Sequence, residues 1–432
     1  MARIGYYIYN LIGVPLLWVG FLLGSVVSKK IRRGLRGRRQ LLGELRRRME
    51  AVEKGGPRFW IHSSSMGEFE QAKPVIQRIK EKFPQSVVVV SLFSPSVFDH
   101  VDDFPGADTI CYMPFDSRRQ SRRFIDTIRP DVAVMVRHDL WPNHLYQLKE
   151  KGIPAVLING SIRSTHGWRF RFLVPFYRFL YQCFDLILTV SKETKDICES
   201  HRLASGPIEI VGDTRYDQVI HRAQEAEKMV ASLRKLKGDR KTFVMGSTWP
   251  SDEVVLLDAM DRLSQKVTRV WYVIVPHEPM EEHVTQIEQR VSGLGLEACL
   301  LSEIDSGKVK DCDVLIVDRV GILASLYALG DLSFVGGGFG AGIHNVLEPA
   351  ALGKAVFFGP RCHNSYEAGL LQNRGVGFVI RDGEALYQHL FSLLNNADKL
   401  KEIEAKATQV VQENAGATYR IVDHLETLVS AL

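Results

Sequence analysis

A chain of 432 residues, 45% hydrophobic and 24% charged, is longer than one ordinary domain and has a globular composition; this excludes a disordered chain, a collagen-like fibre and a polytopic membrane protein. The net charge of +5 is uneven: residues 29–48 hold ten Lys and Arg against the single acid Glu44, so the rest of the chain is net acidic and no nucleic-acid-binding body is implied. The six cysteines, at 111, 183, 198, 299, 312 and 362, form no C-x-x-C pair, which argues against zinc ribbons and thioredoxin chemistry and predicts reduced, buried thiols in a cytosolic protein.

Residues 4–28 carry no charge and include Leu11, Leu16, Trp18, Phe21 and Leu23. Roughly 20 apolar residues cross a bilayer core as a helix. Tyr6, Tyr7 and Tyr9 lie at one end, as interfacial anchors would. The basic run follows at once, which places the body on the cytoplasmic side and offers cations to anionic headgroups. A signal peptide would carry its charges before the apolar stretch. A helix lying in the interface also fits, since Gly13, Pro15, Gly20 and Gly24 weaken a span that membranes nonetheless tolerate.

From Arg58 onward short apolar runs alternate with helical patterns such as 71–82. Strands are predicted at 59–62, 87–92, 109–113, 132–136, 155–158, 186–190 and 208–211. After a polar helical stretch at 217–238 they recur at 242–246, 270–275, 314–317, 332–335 and 355–358. This is the pattern of parallel sheets built from βαβ units, twice over. The expected organisation is a membrane anchor at 1–28, a basic juxtamembrane segment at 29–50, and two Rossmann-like domains at 51–215 and 216–432, facing a cleft. Ligands in such sheets bind beyond the carboxyl ends of the strands.

Four stretches draw attention there. His62-Ser63-Ser64-Ser65-Met66-Gly67-Glu68 follows the first strand and opens a helix; Glu68 suits a general base, while Ser65 and Glu68 also have the spacing of a capping box. Gly246-Ser247-Thr248-Trp249-Pro250-Ser251 suits phosphate oxygens or an N-cap at Ser251, and lacks the lysine of a P-loop. Residues 336–342 hold five glycines and lead to His344, Asn345 and Glu348, as a loop aimed at an anion or sugar would, or as a structural turn with a dipole-compensating acid. Residues 168–184 hold eight aromatics with Arg169, Arg171 and Arg178, consistent with either a membrane-facing surface or core packing. Arg118, Arg119, Arg122 and Arg123 share one helix, either to meet an anionic ligand or as a solvated face.

At these loops the chain resembles the 3-deoxy-D-manno-octulosonic acid (Kdo) transferases of Gram-negative lipopolysaccharide synthesis. The resemblance rests on His62-x-x-Ser65-x-Gly67-Glu68, Leu140-Trp141-Pro142-Asn143, Gly246-Ser247-Thr248, Leu326-Tyr327-Ala328-Leu329 and Val335-Gly336-Gly337. It is most specific at His344-Asn345-x-x-Glu348-Pro349-Ala350-Ala351-Leu352-Gly353 with Phe358-Gly359-Pro360. It departs from the family at Arg137-His138-Asp139, where only Asp139 keeps an acidic charge, at His277 after Val275-Pro276, and at Val320-Gly321-Ile322. The resemblance implies a GT-B fold and inverting transfer of Kdo from CMP-Kdo to a lipid A precursor at the cytoplasmic face of the inner membrane. Glu68 would be the base. Nucleotide contacts would fall at Ser247, Thr248, Pro276, His277, Gly321, Asn345 and Glu348, and acceptor contacts at Ser65, Gly67, Asp139, Arg118, Arg119 and Arg122. No metal and no cofactor beyond the donor would be needed. The alternatives are another GT-B enzyme, such as a nucleotide-sugar epimerase or lipid A disaccharide synthase, and a membrane-tethered binding protein without catalysis.

Overall fold

β-Branched runs such as Val87-Val88-Val89-Val90 pack well in extended form when both faces are buried. The computed structural model describes residues 2–52, 55–98, 101, 104–162, 168–266, 270–307 and 311–431, with the backbone alone at 2–4 and 168–173. Each of the twelve expected strands forms, and two three-residue edge strands, too short to show a period, join them. The first sheet holds β1 (Arg58–Ser63), β2 (Val87–Leu92), β3 (Thr109–Tyr112), β4 (Val132–Val136), β5 (Ala155–Gly160), β6 (Leu186–Thr189) and β7 (Ile208–Ile210), in the order β3-β2-β1-β4-β5-β6-β7. The second holds β8 (Lys241–Thr248), β9 (Val270–Pro276), β10 (Ala298–Leu300), β11 (Val314–Ile316), β12 (Leu332–Val335), β13 (Ala355–Phe358) and β14 (Gly377–Val379), in the order β10-β11-β9-β8-β12-β13-β14. Neighbouring strands pair in parallel throughout both sheets. Strand order reverses between β1 and β4 in the first sheet and between β8 and β12 in the second. These switch points are where a doubly wound sheet opens a crevice for ligand. The loops after β1, β4, β8 and β12 are those that carry the sequence motifs.

The chain divides into two units, Met1–Gln218 with Ala415–Leu432, and Val219–Asn414. Three sequence expectations change here. The C-terminal helix Ala417–Ser430 does not stay with the second domain. Ile421, Val422 and Leu425 are fully buried in the core of the first unit, and Asp217 accepts hydrogen bonds from the Gly416 and Thr418 amides. The basic stretch is not a free linker either. Its residues form two helices, Lys29–Gly37 and Leu41–Ala51, and the second buries Leu41, Leu45 and Met49 in the same cluster as Trp60 and Phe124. Cys299 on β10 and Cys312, two residues before β11, are joined in a disulfide with their Cα atoms 6.0 Å apart; the other four cysteines are free and buried.

Gly5–Val27 is, among the described residues, the one helix long and apolar enough to cross a membrane by length and composition. Of its tyrosines, Tyr7 is exposed, as an interfacial anchor would be, while Tyr6 and Tyr9 are tied to the body. Tyr6 is buried and donates to Asn143 Oδ1 at 2.8 Å, and the Tyr9 hydroxyl donates to Asp116 at 2.8 Å. Trp18 and Phe21 lie against Phe115, with centroids 4.6 and 5.0 Å away. Leu11, Leu16, Leu23 and Val27 remain exposed on the other side. In the aromatic stretch, Phe176, Tyr177 and Phe179 pack on the core and Leu180 and Tyr181 are buried within it, which favours core packing for 176–184; the side chains of 168–173 lie outside the described residues.

Leu425→Ala should destabilise the first unit by about 2–5 kcal/mol, the usual cost of truncating a buried leucine. Hydrogen exchange should show faster opening across β1–β7 and unchanged protection across β8–β14.

Candidate functional site

Glu68 sits at N3 of the helix Met66–Lys82, directly after β1, and the expected capping box is real. Its Oε2 accepts from the amides of Ser64 and Ser65, each at 2.9 Å, and from the Ser65 hydroxyl at 3.0 Å. The cap does not use up the carboxylate, since all of these bonds converge on one oxygen. Burial and the nearby charge of Asp139 together push the Glu68 pKa above its ordinary value. Asp139 is itself pushed to about 6, chiefly by burial and against the pull of its hydrogen bond from Ser64. Two carboxylates with raised pKa values at one strand end are poised to take up protons.

Asp139 reaches this place because the chain turns sharply after β4. Arg137 adopts φ of 61°, a left-handed conformation that costs a non-glycine residue about 1 kcal/mol or more. Asn159 after β5 and Ser247 after β8 are held in the same region, at 51° and 53°. Beneath the carboxylates, His62 is fully buried. Burial pushes its pKa down to about 3, so it is neutral. Its Nδ1 donates to the Ser91 carbonyl at 3.0 Å, and its Nε2 accepts from Trp141 Nε1 at 3.0 Å. The 3.6 Å approach of Asp139 to His62 is therefore not an ion pair. Trp141 and Asn143 of the Leu-Trp-Pro-Asn motif are structural: Trp141 braces His62, and Asn143 binds Asp116 and Tyr6.

The other acceptor-side residues divide. Ser65 and Gly67 are exposed beside Glu68. Gly67 is helical, and a Cβ there would meet open space, so its lack of a side chain leaves room at the carboxylate without any backbone need. Arg118, Arg119 and Arg122 lie on the exposed face of the helix Arg118–Ile128. Arg123 on that helix joins Arg38, Arg39 and Arg47 around a concavity of about 570 Å³.

In the second unit the loops are tied more tightly than the sequence suggests. Asp252, fully buried at N3 of the helix Pro250–Ser264, accepts from the amides of Trp249 at 2.9 Å, Gly337 at 2.8 Å and Phe339 at 3.3 Å. Asp252, not Ser251, caps that helix. Its carboxylate occupies the amides that an anion would otherwise take from the Gly-rich loop. A Cβ at Gly336 would overlap the Ser247 carbonyl, and one at Gly338 would overlap Gly359. Thr248 is buried and donates to Glu253 at 3.0 Å, so its hydroxyl faces inward. Asn345 Oδ1 accepts from the Leu347 amide at 3.1 Å, and Glu348 accepts from Arg222 at 3.2 Å. Pro276 is buried at the end of β9. Gly321, with φ of 95°, is exposed.

His277 is also exposed and stacks on both Trp249 and His344, with centroids 4.6 and 4.4 Å away. Trp249 Nε1 donates to His344 Nε2 at 3.2 Å, and burial lowers the His344 pKa. This platform gathers the ends of β8, β9 and β12, and sequence reasoning took its members separately. Asp252 and Arg222 were missed as organising residues; a carboxylate three residues after the Trp249 amide is the signal that could have found Asp252. Among the described residues no cluster of three or more His, Cys, Asp or Glu suits a metal ion. The chain does contain one Asp-x-Asp, but Asp311 pairs with Arg240 and Asp313 accepts from the Glu297 amide.

The family model for 3-deoxy-D-manno-octulosonic-acid transferase (kdotransferase) matches residues 38–218. The 3-deoxy-D-manno-octulosonic acid transferase of Chlamydia muridarum is 28% identical over 373 residues, 85% of each chain. That of Haemophilus influenzae is 25% identical over 372 residues, 85% of this chain and 86% of the other. A solved UDP-GlcNAc 2-epimerase from Neisseria meningitidis matches with a TM-score of 0.60 at 13% identity, over 86% of this chain and all of the other; that likeness speaks for the GT-B fold of two parallel-sheet α/β units and for nothing finer.

The raised Asp139 pKa has a stability consequence. Its charged form is disfavoured in the folded chain, so its contribution to stability is full below its ordinary pKa of 3.8 and is lost as pH rises to about 6; at neutral pH the cost is about 3 kcal/mol. Asp139→Asn should therefore raise stability by roughly 1–3 kcal/mol at pH 7.5 and hardly at all near pH 4. Urea denaturation at the two pH values checks this.

Proposed function

We propose that this chain, whose residues 38–218 match the Kdo transferase family model, transfers Kdo from CMP-Kdo to a sugar hydroxyl of a lipid A precursor, with Glu68 as general base. The observation that carries the reading is the half-exposed Glu68 carboxylate, raised in pKa and anchored through Oε2 to the Ser64 and Ser65 amides, at the switch point of the first sheet. Oε1 receives the proton of the acceptor hydroxyl as its oxygen bonds to the anomeric carbon of Kdo. The bond from that carbon to the phosphate oxygen breaks from the opposite face, and CMP leaves with the electron pair. Attack from the face opposite the leaving group inverts the centre. Asp139 keeps Glu68 basic, because a neighbouring negative charge favours the protonated product of the transfer.

The donor belongs to the second unit. The Trp249–His277–His344 platform supports its base or sugar face, and Ser247, Asn345 and Glu348 supply polar contacts. Charge on the departing CMP is met by these polar side chains, with no metal in the step. Ser65 and Gly67 border the acceptor hydroxyl. Arg118, Arg119 and Arg122 meet acceptor phosphates from the solvent side. The chain works at the cytoplasmic face of the inner membrane. Gly5–Val27 keeps one face on the first unit through Tyr6, Trp18 and Phe21 and turns Leu11, Leu16 and Leu23 to lipid, so it lies along the membrane surface without crossing.

Glu68→Gln retains an oxygen for the cap but cannot take a proton. It should fold normally, bind CMP, and turn over roughly 10²–10⁴-fold more slowly with CMP-Kdo and lipid A precursor. Mass spectrometry of the product measures this, and turnover in excess EDTA should match that in plain buffer. Full activity in Glu68→Gln would leave Glu68 as a cap and nothing more. In Asp139→Asn the acid limb of the kcat/KM profile should move to lower pH, because removing the neighbouring charge lowers the Glu68 pKa. Full-length protein should stay on membranes washed with about 1 M salt, where charge attraction is screened beyond roughly 3 Å.

A further inference from the structure

We propose that a slot between the N-terminal helices and the end of β2 holds one acyl chain of the glycolipid acceptor, an inference that rests on the lipid A precursor reading above. The slot encloses about 160 Å³ and is lined by Phe21, Ile31, Leu35, Phe93, Pro95 and Phe115, with Lys30 and Arg38 at its edge. Its volume matches that of an apolar cavity able to hold a benzene ring, or a short run of methylenes.

Three observations identify the occupant. First, the slot is continuous with the lipid-facing helix. Phe21 belongs to Gly5–Val27, and the chain reverses at Ser28, whose hydroxyl caps the helix Lys29–Gly37 by accepting from the Ile31 amide. Gly24 permits this close approach, since a Cβ there would lie 2.8 Å from Ile31 Cδ1. A chain leaving the bilayer beside Phe21 enters the slot without crossing water.

Second, the inner wall leads to the carboxylates. The Phe93 ring lies 4.8 Å from Trp141, which binds His62, and the Ser94 amide donates to the Ser64 carbonyl at 3.0 Å. Ser64 in turn donates its amide to Glu68. An acyl chain seated here tethers its sugar near the base.

Third, the rim is cationic where a phosphorylated glycolipid is anionic. Arg38 is half-buried and fixed: it donates to the carbonyls of Phe93 and Met113, each at 2.7 Å, and its guanidinium lies over the Phe93 and Phe115 rings at 4.6 and 5.0 Å. Beyond it, Arg39, Arg47 and Arg123 surround the larger concavity.

The slot adds little affinity over the bilayer, which is equally apolar. It spares the chain from water while the sugar rises to Glu68, and each methylene so spared is worth about a fourfold change in binding.

Filling the slot tests this. Full-length wild type, Leu35→Trp and Ile31→Trp are compared for binding of lipid A precursor in detergent micelles and of the same sugar phosphates fully deacylated. Leu35→Trp and Ile31→Trp should each weaken binding of the acylated acceptor by about tenfold or more, the worth of two or so methylenes, and leave the deacylated one unchanged, which also shows that the fold is intact. Equal effects on both acceptors, or none, overturn the slot. So does full competition by phosphatidylethanolamine–phosphatidylglycerol micelles, which would make the occupant a bulk lipid. Kdo transfer is scored separately. Discrimination without transfer refutes the functional reading and keeps the slot; transfer without discrimination does the reverse.

Discussion

The hydrogen bond from Ser64 to Asp139 joins the two loops at the switch point of the first sheet, and the placing of Glu68 depends on it. It holds a buried carboxylate beside Glu68, at a cost to folding, and fixes the Ser64 backbone whose amide anchors Glu68. The left-handed Arg137 exists to make the turn that permits it. Beneath lies a neutral His62, locked between Ser91 and Trp141, which supplies shape without charge.

The two units use one device for opposite ends. Each places an acid at N3 of the helix that follows its first central strand, Glu68 after β1 and Asp252 after β8. Both acids receive backbone amides. Asp252 is fully buried and satisfied on both oxygens, so it closes the Gly-rich loop into a fixed shape. Glu68 is half-exposed, anchored by one oxygen, and raised in pKa by its neighbour. Burial and the number of amides received separate a closed carboxylate from an open one, although their positions in the unit correspond.

The N-terminal segment does more than anchor. One face of Gly5–Val27 is fastened to the body by Tyr6, Tyr9, Trp18 and Phe21. The basic stretch buries Leu41, Leu45 and Met49 and sends Arg38 into a ring of aromatic side chains. The apolar helix and the basic stretch are thus built into the first unit. A hydropathy profile reports the apolar length of such a segment but not which side chains turn inward.

The sequence by itself determined twelve of the fourteen strands, the tandem α/β organisation and the loops that carry the motifs. Strand runs are local, and parallel topology sends every functional loop to the carboxyl ends. It also determined the pairing of Ser65 with Glu68, because a capping box spans only four residues. Only the tertiary structure decided which unit owns the last helix, since the apolar face at Ile421, Val422 and Leu425 fits a core more than 200 residues earlier in the chain. Only it decided that Asp139 lies beside Glu68, that Thr248 points inward, that Asp252 fills the Gly-rich loop, and that His277 stacks with Trp249 and His344. Each of these depends on burial and on contacts between residues distant in the chain. Those quantities are set by how strands are ordered in a sheet, and no local pattern encodes them.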